Sequence, residues 1–208
     1  MALNINGTTG ISGVDGSVSA PAVTGTDSNT GITFPSADTI KFSTGGVERM
    51  SITNSGVIGG GLFKNWNYTT DNTHVTLQNA GDIYTQLNTA ITPSSTDSRI
   101  IIIVNLGLVS SDGAADVGYD ILRDSTALEQ GQGGTVNATA GAFMNAGAAD
   151  GVSSTVILVD HPNTTSSITY KVASDANSGR DLIINRRGSD TSLGVSSRMF
   201  LIEIGNKS

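Results

Sequence analysis

The stretch that decides the fold runs from Ser154 to Val172 and reads STVILVDHPNTTSSITYKV. Its first half, Thr155 to Val159, is apolar on both faces of an extended chain, which predicts a strand covered on both sides. Its second half, Ile168 to Val172, alternates between apolar and polar side chains, which is typical of a half-buried strand. Turn-forming residues fill the segment from Asp160 to Ser166. The stretch therefore predicts an antiparallel hairpin.

The rest of the chain extends the same β pattern. Of its 208 residues, 14% are charged and 26 are glycine, a composition that favours an all-β protein with many turns. Arg99 to Leu108 includes four consecutive isoleucines, and it predicts the central core strand because it is too β-branched for a helix. About eight strands at roughly ten-residue spacing predict a β-sandwich or jelly roll.

Charge and terminal composition exclude several classes of partner. The net charge is −7 and Arg186–Arg187 is the one pair of adjacent basic residues, so we expect no nucleic-acid partner. There is no cysteine, which excludes disulfides and thiolate metal sites. The N-terminus lacks the basic and apolar regions of a signal peptide, and no apolar run approaches the ~20 residues of a membrane span. We therefore expect a soluble protein made in a cytoplasm, with no membrane partner.

Changes in composition and in the spacing of apolar residues along the chain predict three regions. Residues 1–30 are rich in glycine and polar residues, so we expect an attachment segment or a flexible tail. Residues 31–61 contain short alternating strands, with Gly45-Gly46 as a two-residue hairpin turn, and end in the glycine hinge 59–61. Residues 62–208 hold the longer apolar runs and form the predicted sandwich domain.

The strands of residues 31–61 are too short to bury a core within one chain. Three chains wound together would bury more surface. We therefore predict a homotrimer in which the apolar faces of this short β stem meet partner chains. The predicted trimer contacts are Ile40, Phe42, Val47 and Ile52.

The sequence offers only weak evidence for a catalytic site or a cation site. His161 adjoins Asp160, but neighbours on a strand point to opposite faces, and no G-x-S-x-G motif supplies a nucleophile. We interpret His161 and Asn163 as a surface contact loop rather than a catalytic site, and expect neither enzymatic activity nor a cofactor. Asp175, Asn177 and Asp181 could gather around a cation, although a solvated loop is the better interpretation.

Trp66 and Tyr68 lie in an aromatic-rich opening strand. Exposed aromatic rings can stack on sugars, which would suit receptor binding. Aromatic residues beside an opening strand more often belong to a core or a subunit interface, and we favour that interpretation.

The motifs resemble those of structural proteins of tailed phages, many of them marine. The C-terminal part resembles a jelly-roll domain with an "LDSP", "TTS", "TYKV" and "LMEI" pattern, and residues 46–56 resemble one G-x-x-R-M-x-I-x-x-x-G unit of a phage fibre stem. The stretch NINGTTGISGVDGS resembles an N-terminal segment of such virion proteins. His161 departs from the pattern, where the family often has serine. The matching residues are Leu158, Asp160, Pro162, Thr164, Thr165, Tyr170, Lys171, Val172, Glu203 and Ile204, with Gly46, Arg49, Met50, Ile52 and Gly56 in the stem.

The resemblance implies a non-enzymatic virion protein with a tumour-necrosis-factor-like head, assembled as a homotrimeric short fibre or spike. Its partners would be itself, other capsid or tail proteins and a host-surface glycan, with residues 1–30 attached to the particle. A capsid cement protein is the alternative. A carbohydrate-active spike enzyme is less favoured because paired carboxylates are sparse, and the fibre-stem unit argues against a host-encoded lectin-like jelly roll.

Overall fold

The computed structural model describes residues 4–6, 10–12, 15–58, 63–113, 115–129, 138–144, 151–176 and 180–205. The predicted glycine hinge at residues 59–61 lies outside them. The chain divides into two compact units, Met1–Lys64 and Asn65–Ser208. Both units are built from strands, as the composition predicts, and the described residues include one short 3-10 turn at Thr85–Leu87.

The N-terminal unit contains nine strands among its described residues. They are β1 (Asn4–Asn6), β2 (Gly10–Ser12), β3 (Gly16–Ser17), β4 (Ala20–Pro21), β5 (Val23–Thr24), β6 (Gly31–Thr33), β7 (Ile40–Thr44), β8 (Val47–Thr53) and β9 (Gly56–Ile58).

The remaining eleven strands build the C-terminal unit, the first of them starting just before the division. They are β10 (Phe63–Asp71), β11 (Val75–Leu77), β12 (Thr89–Ile91), β13 (Arg99–Ser111), β14 (Ala115–Arg123), β15 (Thr126–Ala127), β16 (Ala140–Met144), β17 (Val152–Asp160), β18 (Ile168–Ala176), β19 (Leu182–Ile184) and β20 (Ser197–Ile204).

Strands β5 to β9 of the N-terminal unit form one antiparallel sheet in chain order. Gly45 and Gly46 join β7 to β8 with positive φ angles of 59° and 73°, which confirms the predicted two-residue turn. The sheet begins at Val23, upstream of the boundary after residue 30 that the composition suggested, because β5 pairs with β6.

Two sheets form the C-terminal unit, in the arrangement of a β-sandwich. One has the order β10-β20-β13-β19-β11, with β17 also paired to β13, and the other has the order β12-β18-β14-β15, with β16 also paired to β14. Strand β13 is central, as predicted, since it pairs with β17, β19 and β20. The core is apolar and includes the fully buried side chains of Tyr84, Leu87, Ile100, Ile102, Leu106, Tyr119, Ile121, Tyr170, Leu182, Ile184 and Met199.

The predicted hairpin between Thr155 and Val172 is wrong. Strand β17 pairs with β13 in one sheet, whereas β18 pairs with β12 and β14 in the other. The connection at residues 161–167 crosses from sheet to sheet, with Asn163 in the left-handed region at φ 50°. A connection of that length, containing a proline, does not impose the tight register of a two-residue turn. The alternation of β18 is confirmed, since Ile168, Tyr170 and Val172 are all buried.

The prediction that β17 is covered on both sides is also wrong for the single chain. Leu158 on its inner face is buried, but Ile157 is 63% exposed and Val159 is 54% exposed. The inner face is tied to the opposite sheet by polar contacts at both ends. Ser154 Oγ and Tyr119 Oη lie 2.8 Å apart, and Tyr170 Oη donates to Asp160 Oδ2 at 2.7 Å.

Candidate assembly surfaces

The four residues predicted to form trimer contacts share one face of the N-terminal sheet. Ile40 lies directly opposite Ile52, and Thr44 lies opposite Val47. Because residues two apart on a strand share a face, Ile40, Phe42 and Thr44 bring their partners onto the same side. None of the four is buried: Val47 is 53% exposed and Ile52 is 37% exposed.

A β-bulge puts Val47 on this face. Phe42 pairs with Met50 and the next residue, Ser43, pairs with Glu48, so Arg49 is an extra residue on β8. Without the bulge, strict alternation would point the Val47 side chain to the other face of the sheet from Met50 and Ile52. The Arg49 Nε donates to Thr44 Oγ1 at 2.8 Å, which holds the bulged residue against the neighbouring strand.

On the opposite face of the N-terminal sheet, the buried side chains are polar. Thr33, Ser43 and Ser51 are each at most 5% exposed. Lys41 Nζ and Glu48 Oε2 form an ion pair at 2.6 Å at this face, and the hydrogen bond from Lys41 lowers the pKa of Glu48. The usual pattern of apolar inside and polar outside is therefore reversed, and the apolar side of the sheet stays open.

A second open apolar surface lies on the outer face of the C-terminal unit. One row crosses four strands: Phe200 and Ile157 both lie opposite Ile103, and Tyr68 stacks on Phe200 with ring centroids 5.6 Å apart. Trp66 stacks on Tyr68 at 5.9 Å. We call this surface the aromatic face. Its residues are Trp66, Tyr68, Ile103, Ile157, Val159 and Phe200, with Ile101 and Ile202 half-buried beside them.

Polar residues border the aromatic face at both ends. The row after Ile103 consists of Arg198, Asn105 and Thr155, and the Asn105 amide donates to Thr155 Oγ1 at 2.8 Å. Arg99, which lies opposite Ile204, lies on the same face of β13 at the other end. An apolar centre with a polar rim is the usual anatomy of a protein–protein interface.

One edge of the sandwich is covered by the β10 residues that alternate with the outward-facing rings of Trp66 and Tyr68. The side-chain amides of Asn65 and Asn67 donate to the Thr92 and Ala90 carbonyls at 3.4 and 2.7 Å, and the Thr69 hydroxyl donates to the Asn88 carbonyl at 3.3 Å. Successive donors are two residues apart along β10, and the carbonyls that accept their hydrogen bonds are also two residues apart. The resulting side-chain ladder covers the edge of β12. Sequence reasoning missed it, although the N-x-N-x-T spacing was available as a signal.

His161 and Asn163 are both exposed, in the connection between β17 and β18. The His161 Nε2 lies 3.0 Å from the Thr96 carbonyl oxygen. Asp160 is engaged elsewhere, because it binds Arg123 Nη1 at 2.8 Å and accepts the Tyr170 hydroxyl. The geometry thus gives His161 no hydrogen bond to Asp160, and the contact role of this loop stays a prediction.

The residues considered for a cation are arranged differently from a ligand cage. Asn177 lies outside the described residues, and the Asp181 backbone N–H donates to Asp112 Oδ1 at 3.2 Å. Arg180 and Asp112 form an ion pair at 3.6 Å beside it. Within the described ranges, no three His, Cys, Asp or Glu side chains are grouped so that they could hold a metal ion.

Comparison with known proteins adds no identification, since the sequence matches no family model and no curated protein. In the part of the chain that the structure describes, no helix has the length and apolarity needed to cross a membrane.

Proposed function

We propose that this chain is a non-enzymatic structural protein of a tailed-phage virion, assembled as a homotrimeric short fibre or spike with a jelly-roll C-terminal unit. It would be made in the bacterial host cytoplasm and displayed on the particle. The observation that carries the proposal is the open apolar face of the N-terminal sheet, where Ile40, Phe42, Val47 and Ile52 lie together.

The physical argument is one of incomplete burial. A sheet whose buried side holds Thr33, Ser43 and Ser51 gains little from the hydrophobic effect within one chain. Its apolar side gains that stabilisation when further copies cover it. Three copies around one axis would also present three identical C-terminal units, and three weak contacts on one body gain avidity without any new contact.

The exposed loop at residues 161–167 is the proposed contact with a host-surface glycan or with another virion protein. His161 and Asn163 are both accessible there, and Asn163 holds the left-handed conformation that shapes the loop. Contacts on loops of a rigid sandwich are a common way for β-proteins to bind partners.

Two measurements on the full chain test the proposal. Light scattering of the purified protein at micromolar concentration should give three times the chain mass of 21.2 kDa, and a stable monomer would contradict the trimer. Antibodies against the chain should label intact phage particles in electron micrographs. Labelling at the tail or at head vertices fits a fibre, labelling spread evenly over the head shell fits the cement alternative, and unlabelled particles would contradict a virion role.

A truncated chain tests how the protein attaches. Removing residues 1–14 leaves strands β3 to β20 in place, so the protein should keep its β-rich circular dichroism spectrum and its trimer mass. Particle labelling should be lost if residues 1–14 attach the protein. Normal occupancy of particles by the truncated protein would instead assign the attachment to residues 15–208, which hold the rest of the predicted segment and the C-terminal unit that the cement alternative requires.

A further inference from the structure

We propose that the aromatic face is a contact between copies of this chain, so that each C-terminal unit packs its β10–β20–β13–β17 sheet onto another copy. This inference rests on the proposed homotrimer and adds to it an interface that is independent of the N-terminal sheet.

The size of the aromatic face is the first argument. Trp66 is 66% exposed, Tyr68 49% and Phe200 37%. Since a whole aromatic side chain covers ~150–250 Å², these three rings leave roughly 300 Å² of apolar surface open. Ile157 and Val159 enlarge that area. It then lies within the ~300–600 Å² of the largest apolar patch on a typical monomer, a patch that is often functional, and it supplies a large part of the ~800 Å² that each partner of a stable complex buries.

The chemistry of the face favours a protein partner over a sugar. A sugar platform combines an aromatic ring with polar groups that orient hydroxyls. Here the rings continue into aliphatic residues, Ile103, Ile157 and Val159, and the polar groups are confined to the two ends. The Asn65 and Asn67 amides, which lie on the same strand as the rings, are already bonded to backbone carbonyls.

Strand β17 supplies the second argument, because it is an edge strand. Within the described part of the chain, β17 pairs with β13 on one side only. It spans nine residues and contains neither proline nor lysine, the residues that commonly protect an exposed edge. The same unit covers the edge of β12 with the side-chain ladder from β10. A nine-residue edge that is apolar from Val156 to Val159 and lacks such protection indicates a surface that a partner covers.

A second copy of this chain is the partner that the charges fit. The two rim arginines, Arg99 and Arg198, lie at opposite ends of the face on a chain whose net charge is −7. A second copy therefore offers an apolar face of the same kind, and its net charge is opposite in sign to the two rim arginines.

The chain contains one tryptophan, Trp66, so its fluorescence reports on this face directly. In the assembled full chain, Trp66 emission should be blue-shifted and shielded from acrylamide. On dilution to where light scattering records the monomer, the emission should shift to the red and quenching should increase several-fold. An assembled protein whose Trp66 is quenched as freely as free tryptophan would overturn the proposal.

Variants of the full chain test the contact itself. The double substitution Ile157→Thr and Val159→Thr keeps two β-branched strand residues whose side chains are mostly exposed in the single chain. It should raise the dissociation concentration at least tenfold, the factor that corresponds to about 1.4 kcal/mol. Leu193→Thr is the matched control, since Leu193 is 40% exposed in the loop between β19 and β20 and is not one of the residues that define the aromatic face, and it should leave the mass and the circular dichroism unchanged.

A crosslink gives a second readout that does not weaken the fold. Because the chain has no cysteine, Val159→Cys introduces a single thiol, and mild oxidation should give a covalent dimer. Gln86→Cys, at an exposed site on the 3-10 turn, should stay uncrosslinked at the same concentration.

The outcomes separate this inference from the proposed function. If the double variant keeps its mass while Ile52→Thr in the N-terminal sheet loses it, the homotrimer stands and the aromatic face is not its contact. A monomeric wild-type chain would overturn both proposals. If added oligosaccharide shifts Trp66 emission without a change in mass, the face binds sugar and the inference is wrong.

Discussion

Ile157 on β17 lies directly opposite Ile103 on β13, and this pair faces outward, whereas the next pair along, Leu158 and Ile102, faces the core. The two pairs have the same chemistry and differ only in which sheet face they occupy. Their apolar character alone predicts burial on both faces. The single chain supplies a covering layer for one face, which is why the other is the principal candidate for contact between copies.

The first prediction separates these two faces. Ile102→Ala should lower the free energy of unfolding by ~2–5 kcal/mol, because Ile102 is fully buried and the truncation leaves a cavity. Ile103→Ala should lower it by less in the dissociated chain, because Ile103 is half-buried there, and its effect should grow with protein concentration, because the proposed contact between copies would cover it. Urea denaturation at two protein concentrations measures both effects. Equal, concentration-independent losses would show that the single chain already covers both faces.

Local pattern predicted the elements better than their pairing. The period-two alternation of β18 and the Gly45-Gly46 turn depend on neighbouring residues and were both correct. The partner of β17 depends on contacts such as Ile101 with Val159, which are far apart in sequence. Turn formers at residues 160–166 show that the chain changes direction, but they do not say whether it returns to the same sheet or crosses to the other one.

The sequence likewise predicted only part of each candidate surface. The four residues predicted as trimer contacts share a face of the N-terminal sheet, but strict alternation could not have placed Val47 there, because the bulge at Arg49 is not visible in the residue pattern. The aromatic residues of β10 were recognised as interface candidates. Ile157, Val159 and Phe200 were not, since exposure in the single chain depends on which strands lie at the sheet edge.

The second prediction concerns the side-chain ladder between β10 and β12. Asn67→Ala removes the 2.7 Å bond to the Ala90 carbonyl and the bond that Asn67 Oδ1 accepts from the Tyr68 N–H. We expect it to cost about 0.5–1.5 kcal/mol of unfolding free energy, the net contribution of a typical intramolecular hydrogen bond. Asn72→Ala, at an exposed position just beyond β10, is the control and should change stability by less than ~0.5 kcal/mol. Equal midpoints in urea for the two variants would contradict a stabilising ladder.

The third prediction concerns Asn185, which is buried with φ at 66°. Its amide nitrogen lies 2.8 Å from Tyr84 Oη and 3.0 Å from the Thr73 carbonyl oxygen, and its oxygen accepts from the Ser197 hydroxyl at 2.7 Å. Asn185→Ala should cost ~2–4 kcal/mol, because buried polar partners lose their bonds. Asn185→Gly should recover about 1 kcal/mol of that loss, since glycine takes the left-handed conformation without strain. If alanine were as stable as glycine, the backbone argument would fail.

The last prediction concerns three tyrosines of the C-terminal unit at high pH. Burial raises the pKa of Tyr84, Tyr119 and Tyr170 above the ordinary value. The hydrogen bond to Asp160 raises the pKa of Tyr170 further, and Asp71 does the same for Tyr84.

A phenol whose pKa is raised by folding keeps its proton in the folded state while the unfolded chain loses it. The stabilisation is therefore fully present below the unfolded pKa of about 10 and is lost as pH rises through and beyond that value. Urea midpoints should fall steeply above about pH 10, and the phenolate absorbance of these three residues should appear together with unfolding.

Two substitutions assign this alkaline loss to the buried phenols. Tyr170→Phe should be less stable than the wild type at neutral pH, because Tyr170 donates to Asp160 at 2.7 Å, yet its stability should fall less steeply above about pH 10. Asn72→Ala removes an exposed, non-titratable side chain outside the aromatic face and should leave the steepness of the alkaline transition as it is. If both variants lost stability with pH as steeply as the wild type, ionisation of Tyr170 would not drive the transition, and groups outside this set would have to account for it.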